Sequence, residues 1–174
     1  MSAAAPDTGD VVIRAAVPED AERLHALLLG LARSTGLKEK IRSKPDDFRR
    51  LGFRERPAFQ ALIAERGGTS LGVCLYFYNF SSWRGEMGIY VQDLYVADEA
   101  RGTGLGRRLL AETVKLGKAQ GATHLRLSVD RANLRAQRFY RKLGLRAQEH
   151  ELIFQATGAA FERLSRADRR KEKE

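Results

Sequence analysis

The pattern of apolar and polar positions predicts a chain in which helices and strands alternate. Apolar residues recur at helical spacing in two long segments, residues 18–34 and 104–120. Shorter helices are predicted from about Pro45, over residues 133–144, and near the C-terminal end over residues 158–170. Apolar runs and alternations predict the strands, at residues 11–16, 58–66, 70–80, 87–97, 123–130 and, as one strand or a pair, 145–155.

This order of elements predicts the mixed α/β class, with helices on both faces of a central sheet. We expect a mixed, mostly antiparallel sheet of six to seven strands, which includes a hairpin around the turn Gly67-Gly68-Thr69-Ser70 and one βαβ crossover near its end. Residues 1–10 are predicted to be a disordered leader, residues 11–165 a single domain, and residues 166–174 a charged flexible tail.

Composition and charge restrict the class of partner. The chain has 31 Lys and Arg against 22 Asp and Glu, a net charge of +9, which favours a polyanionic partner such as nucleic acid or a phosphorylated cofactor. No apolar run is long enough to span a bilayer, so no membrane association is expected. The single cysteine, Cys74, predicts a buried thiol and a cytoplasmic location, and the three histidines lack ligand spacing, so no metal is expected.

The segment RGTGLGRRLL, residues 101–110, lies between a strand and a helix. A glycine-rich turn at the start of a helix exposes backbone N–H groups at the positive end of the helix dipole, where phosphate oxygens bind. The segment therefore predicts an anion-binding turn built from alternate glycines and flanking arginines: Gly102, Gly104, Gly106, Arg101, Arg107 and Arg108.

Two common nucleotide-binding patterns fit this turn poorly. The dinucleotide spacing G-x-G-x-x-G fails because Arg107 stands where the third glycine belongs. The G-x-G-x-G pattern of S-adenosylmethionine methyltransferases has its acidic residue in Asp130, but the residues ADEA separate the strand from the glycines. The further βα units of a doubly wound sheet are also missing.

Residues 101–106 resemble the pyrophosphate loop, Arg/Gln-x-x-Gly-x-Gly/Ala, of the GNAT superfamily of acetyl-CoA-dependent N-acetyltransferases. A second segment, NLRAQRFYRKLGL at residues 133–145, resembles the Asn…Phe-Tyr-x-x-x-Gly-Phe stretch of that family, and the resemblance covers residues 11–154. Within the superfamily, YFYNFSSWRGEMGIYVQDLYV at residues 76–96 resembles the diamine (spermidine/spermine) and thialysine acetyltransferase branch. The GNAT fold is therefore expected.

The resemblance implies that acetyl-CoA lies between two splayed parallel strands. The backbone of residues 94–96 would pair with the pantetheine amides, and the loop amides would hold the pyrophosphate. Asn133 would reach the pantetheine with Ala136 beside it, although a helix N-cap is an equal alternative for Asn133. The implied coenzyme-binding residues are Leu94, Tyr95, Val96, Arg101, Gly102, Thr103, Gly104, Leu105, Gly106, Arg107, Asn133, Ala136 and Tyr140.

The resemblance also implies the chemistry, a direct attack of a neutral amine through a tetrahedral intermediate. Tyr140 is the candidate general acid toward the thiolate, and main-chain N–H groups near residues 94–96 would stabilise the oxyanion. Asp93 is a candidate for holding the ammonium group or for taking its proton through water. The alternatives are a packing role for Tyr140 and a structural carboxylate at a strand bulge for Asp93.

Members of the diamine branch carry an acidic residue where this chain has Gln92, and another in the turn where it has Ser81 and Ser82. Two lost carboxylates and a net charge of +9 disfavour a polycation. We therefore expect a small primary amine, diamine-like or a lysine-like amino acid whose carboxylate meets an arginine. The predicted substrate-binding residues are Gln92, Asp93, Trp83 and Tyr90, with core packing as the alternative for Tyr90.

Three further expectations concern partners and alternatives. The resemblance implies a homodimer in which the C-terminal strand or helix crosses between subunits. Acetylation of a protein N-terminus or lysine, for example on a ribosomal protein, is an alternative function. A basic nucleic-acid-binding module is a less favoured alternative, drawn from RANLRAQRFYRK at residues 131–142, because a solvated helix shows the same arginine spacing.

Overall fold

The computed structural model of the protein describes residues 9–166. The chain divides into two compact units, one that ends at Arg138 and one that begins at Phe139. Most of the predicted leader, and all of the predicted tail beyond residue 166, lie outside the described residues. The single domain over residues 11–165 stays a prediction.

From residue 9 onward, the first unit holds five strands and three complete helices, and a fourth helix starts in it. Short 3-10 turns at Pro18–Asp20, Lys38–Lys40 and Asp98–Ala100 join some of these elements. In chain order the strands and helices are β1 Val12–Ala15, α1 Ala21–Ser34, α2 Pro45–Gly52, β2 Gln60–Arg66, β3 Thr69–Ser81, β4 Glu86–Val96, α3 Leu105–Ala119, β5 Ala122–Leu127 and α4 Leu134–Lys142.

The strands form one sheet in the order β1-β2-β3-β4-β5. Neighbours from β1 to β4 are antiparallel, and β5 runs parallel to β4. The hairpin at residues 67–70 connects β2 and β3 as expected. A mixed, mostly antiparallel sheet is thus confirmed, with five strands among the described residues.

The second unit contains the end of α4 and a short helix, α5 Ala159–Ser165. The predicted strand or strand pair at residues 145–155 is wrong, because these residues form no strand. Their apolar side chains Leu152, Ile153 and Phe154 are exposed. Apolar residues favour a strand only where a hydrogen-bonded neighbour and a packed face are available, and sequence pattern alone does not supply either. No described helix combines the length and apolar character required to cross a bilayer.

Helices cover both faces of the sheet in the first unit. On one face, α1 and α2 pack on Ile63, Val73 and Leu75. On the other face, the thiol of Cys74 contacts Thr113 of α3. Burial raises the pKa of that thiol to about 11, so Cys74 is an inert packing residue, as expected from the sequence.

An ion-pair cluster fastens the start of α1 to the sheet edge. Arg14 of β1 donates two hydrogen bonds to Asp20, at 2.6 and 2.9 Å, and one from Nε to Glu65 of β2 at 2.9 Å. These bonds hold the pKa of Asp20 and of Glu65 below their ordinary values. The cluster fixes the helix that lines the site described below.

Gly72 of β3 permits close packing of β4 and α3. A Cβ atom at this position would lie 2.8 Å from the carbonyl oxygen of Tyr95 and 3.1 Å from Cδ1 of Leu109. The first of these atoms belongs to the backbone, so it cannot move aside as a flexible side chain would. The sequence analysis did not single out this glycine.

We predict that Gly72→Ala lowers the free energy of unfolding by about 1–3 kcal/mol, the usual effect of overpacking. The melting temperature is expected to fall by roughly 2–4 °C per kcal/mol. Ser70→Ala, on the same strand, is the matched control and should change the melting temperature little. Equal melting temperatures for wild type and Gly72→Ala would contradict the packing argument.

Candidate active site

Strands β4 and β5, the last two in the order of the sheet, separate after Val91 of β4. Their pairing runs along residues 87–91 of β4 and ends at Leu127 of β5. Beyond this point, residues 93–96 of β4 still pair with β3. One edge of β4 therefore presents backbone polar groups without a partner strand among the described residues. An extended ligand with amide groups can add to such an edge as a strand does.

A β-bulge lies where the strands part. Val91 pairs with Tyr76 and Asp93 pairs with Leu75, so Gln92 is the extra residue on β4. Because of this one-residue shift, Asp93 lies on the same face as its partner Leu75, which packs under α1 and α2. The bulge that was one alternative explanation for Asp93 is thus present.

The carboxylate of Asp93 is half-buried and makes no hydrogen bond or ion pair with another described residue. Desolvation raises its pKa above the ordinary value of 3.8. A carboxyl group of this kind accepts a proton more readily than one in water, which suits either a cation-binding or a proton-accepting role.

Asp93 and Gln92 line a cavity of about 410 Å³ on the α1 and α2 side of the sheet. This volume lies in the range of small-molecule sites. Eight of its thirteen lining residues are apolar, among them Leu28, Phe48 and Phe59. Among the described residues that line the cavity, two are charged, Asp93 and Lys40.

The other two predicted substrate residues do not line this cavity. The ring of Tyr90 stacks on Phe77 with centroids 5.0 Å apart, and its hydroxyl shares a hydrogen bond of 2.7 Å with the hydroxyl of Ser128. Trp83 lies in the turn between β3 and β4 with 99% of its surface exposed. A contact of either side chain with the amine stays a prediction.

The glycine turn between β4 and α3 has the geometry of an anion site. Gly102 and Gly104 have φ angles of 80° and 82°, and nothing lies within 4 Å of a Cβ built on either. Helix α3 starts without a side-chain cap. The N–H groups of Leu105, Gly106 and Arg107 in its first turn therefore have no intrahelical acceptor and are available to a phosphate.

The arginines of this turn have different roles. The side chain of Arg101 donates from Nε to the carbonyl of Val96 at 3.0 Å, pairs with Asp98, and lies 5.9 Å from the centroid of the Tyr95 ring. It therefore holds the turn against the end of β4. Thr103 donates its hydroxyl to the carbonyl of Ala100 at 2.8 Å, a second internal tie. Arg107 is exposed and makes no ion pair within residues 9–166.

The second sequence motif spans the start and end of α4. Asn133 accepts a hydrogen bond of 3.0 Å at Oδ1 from the N–H of Ala136, so the helix-cap alternative for Asn133 is realised. In the second unit, Tyr140 is half-buried and its ring meets that of Phe139 edge to face, with centroids 5.1 Å apart. The coenzyme contacts of Asn133 and Ala136, and the acid role of Tyr140, stay predictions.

Sequence reasoning missed the cavity-lining residues of α1, of α2, of the turn between them and of the segment that leads into β2. Leu28, Phe48 and Phe59 gave the signal of ordinary core residues, and Lys40 gave none. Gly30 had a signal that was overlooked, a glycine inside an apolar helix. A Cβ there would lie 2.7 Å from the hydroxyl oxygen of Tyr95, so Gly30 makes room for that ring.

A family model described as "Acetyltransferase (GNAT) family" matches residues 23–145. The chain belongs to this family. It is therefore an acetyl-CoA-dependent acyltransferase, and the GNAT fold is confirmed.

This GNAT protein is similar to thialysine N-epsilon-acetyltransferase from Bos taurus, with 32% identity over 77% of this chain and 83% of the relative. It is also similar to spermidine/spermine N(1)-acetyltransferase-like protein 1 from Homo sapiens, with 30% identity over 56% of this chain and 15% of the relative. A solved aminoglycoside acetyltransferase from an uncultured soil metagenomic sample shares the fold, with a TM-score of 0.72 and 24% identity over 85% of this chain and 99% of the other. The resemblance to the diamine and thialysine branch is confirmed.

The pKa of Asp93 yields a pH-dependent prediction for this GNAT protein. Between 3.8 and the raised value, the folded protein binds more protons than the unfolded chain, so its free energy of unfolding falls as pH rises through this window. Asp93→Asn removes the carboxyl group and with it this fall in the free energy of unfolding. We expect the variant to be more stable than wild type at pH 7, with the gap narrowing toward pH 4, in urea unfolding followed at both pH values.

Glu99→Gln is the matched control for this experiment, because Glu99 is an exposed acid on the neighbouring 3-10 turn. It should change stability little at either pH. A stability gap between Asp93→Asn and wild type that widens toward pH 4 would show that Asp93 is not desolvated in the folded protein.

Proposed function

We propose that this protein transfers the acetyl group of acetyl-CoA to the primary amine of a small molecule that binds in the cavity beside Asp93. One observation carries the proposal: the unpaired edge of β4 begins at the same bulge that directs the half-buried Asp93 carboxyl into the cavity. An acetyl donor bound on the strand edge and an amine bound in the cavity would thereby lie beside neighbouring residues of one strand.

The residues present fit coenzyme A. Backbone groups of residues 94–96 would pair with its pantetheine amides, and the amides of residues 102–107 would hold its pyrophosphate, with Asn133 and Ala136 beside the pantetheine arm. The open space over Gly102 and Gly104 supports this fit, because the backbone there is accessible to a large anion. When bound, the coenzyme supplies an acetyl thioester, an activated acyl donor.

The chain's own residues then act on protons and charge. Asp93 binds the ammonium group of the acceptor and receives its proton, a role that its raised pKa supports. Backbone N–H groups on the edge of β4 stabilise negative charge on the carbonyl oxygen. The hydroxyl of Tyr140 gives a proton to the departing sulfur, an assignment that rests on the sequence motif at residues 133–145.

The named relatives support a small-molecule acceptor, because thialysine and spermidine, the compounds in their names, are both small amines. Gln92 at the bulge is neutral, and the net charge of +9 opposes a polycation at long range. Diamine-like amines and lysine-like amino acids are the candidate acceptors. A homodimer and a cytoplasmic location stay predictions from the resemblance and from cysteine content.

We predict that acetyl-CoA raises the melting temperature of the wild-type protein, and that Gly104→Ala reduces this shift. At 100 times the dissociation constant, a ligand of the native state adds about 2.7 kcal/mol of stability. A methyl group at Gly104 strains a backbone with φ near 82° and blocks approach to the turn. S-Adenosylmethionine and RNA should give no shift.

Gly68→Ala is the matched control, because Gly68 has a φ of 79° with open space around it but lies in the hairpin between β2 and β3. Both variants should lose intrinsic stability to a similar extent. An acetyl-CoA shift that is as large in Gly104→Ala as in Gly68→Ala would refute the placement of the pyrophosphate.

We predict that Tyr140→Phe lowers kcat by about 10²- to 10⁴-fold, the usual contribution of a general acid, with acetyl-CoA binding retained. Release of the free thiol with a panel of amines measures turnover, and the melting shift measures binding. Tyr78→Phe, on β3, is the control for the loss of a phenol hydroxyl. Unchanged kcat in Tyr140→Phe would remove this residue from the acid role.

A further inference from the structure

The cavity beside Asp93 has walls that suit an apolar arm. Eight of its thirteen lining residues have aliphatic or aromatic side chains, among them Leu31 of α1, Phe48 of α2 and Leu75 of β3. Burying methylene groups against these walls is favourable, whereas an ammonium group placed there has no partner to replace its water. The apolar walls therefore favour binding of a hydrocarbon arm over binding of an arm with a charged group.

The charges around the cavity are placed on separate elements. Asp93 lies at the bulge of β4, and Lys40 lies on the exposed turn Lys38–Lys40 between α1 and α2. Asp93 supplies one site for one ammonium group. Three lining residues are neutral and polar, Thr35, Ser43 and Gln92. A second ammonium group on the same acceptor would find no further carboxylate among the described lining residues and would meet the like charge of Lys40, which is unfavourable.

We propose that Lys40 is a specificity-determining residue that makes the cavity select primary amines with a single positive charge on an apolar arm, and reject diamines. This inference rests on the proposed function, since it assigns the cavity to the acceptor, and it narrows the candidate acceptors named there by removing diamines from them. Lys40 acts on the end of the acceptor remote from the reacting nitrogen. It takes no part in the chemical step.

Three probes with the same six-carbon arm and different ends test the inference: n-hexylamine, 6-aminohexanoate and 1,6-diaminohexane. For the wild-type enzyme with acetyl-CoA, kcat/KM for the diamine should be lower than for hexylamine by about tenfold, because the like charge of Lys40 weakens association of the second ammonium group. This difference is expected even though the diamine offers two equivalent amino groups. The value for 6-aminohexanoate should equal or exceed that for hexylamine.

Lys40→Glu should raise kcat/KM for the diamine by about tenfold and lower it for 6-aminohexanoate, with hexylamine changed less than twofold. Lys38→Glu is the matched control, since Lys38 lies exposed on the same turn, does not line the cavity and gives the same change in net charge. It should leave the order of the three probes unchanged. Equal effects of the two substitutions, or a wild-type preference for the diamine, would overturn the proposal.

Binding of the amines to the free enzyme gives a second readout that does not need turnover. Melting curves without acetyl-CoA should show a larger shift with hexylamine than with the diamine in wild type, and the reverse in Lys40→Glu. If acetyl-CoA raises the melting temperature but no probe binds or is acetylated, the cavity is not the acceptor site and this inference is wrong. If acetyl-CoA also gives no shift, the proposed function itself fails.

Discussion

The site depends on a hydrogen-bonding constraint in β4, a strand with different neighbours along its length. Up to Val91 it pairs on both sides, and beyond the bulge it keeps β3 but loses β5. Buried backbone N–H and C=O groups need hydrogen-bond partners. An unpaired strand edge is therefore costly unless solvent or a ligand forms hydrogen bonds with it. Pantetheine carries amide groups that can form hydrogen bonds with such an edge, so the coenzyme would add to the sheet as a further strand does. The parting of two strands is thus the physical basis of the proposed donor site.

The bulge at Gln92 links this edge to the proposed acceptor cavity. In a regular strand, side chains two positions apart share a face, and Val91 and Asp93 would lie on the same side. The extra residue reverses that relation, so Val91 pairs with Tyr76 while Asp93 pairs with Leu75 on the opposite face. Without the bulge, the carboxyl would point toward α3 rather than toward the cavity under α1 and α2. One inserted residue therefore places the carboxyl and the open strand edge at the same point of the chain.

Much of the first unit could be predicted from the sequence because its signals are local. The periodicity of α1 and α3, the hairpin at residues 67–70 and the glycines with positive φ depend on neighbours in the chain. The strand predicted at residues 145–155 failed because strand formation depends on a partner that local pattern does not reveal. The cavity was missed for the same reason: Leu28, Phe48 and Lys40 come from separate elements, and only folding brings them around Asp93. Gly72 was missed because its effect lies in close contact with the backbone of Tyr95, a residue distant in sequence, whereas Gly30 had a local signal, its place inside an apolar helix, that was overlooked.

Desolvation explains why one carboxyl group suffices for the proposed proton transfer. In water a carboxylic acid is far more acidic than an alkylammonium ion, so a carboxylate removes very few protons from such an amine. Burial disfavours both charged forms, which raises the pKa of the acid and lowers that of the ammonium ion. The pKa values of the acid and of the ammonium ion would therefore move closer together inside the cavity. The pKa of Asp93 is already raised by its burial. Apolar walls around Asp93 thus have a chemical consequence as well as a steric one, because they would bring the nitrogen of an amine bound there closer to the neutral form that attacks a thioester.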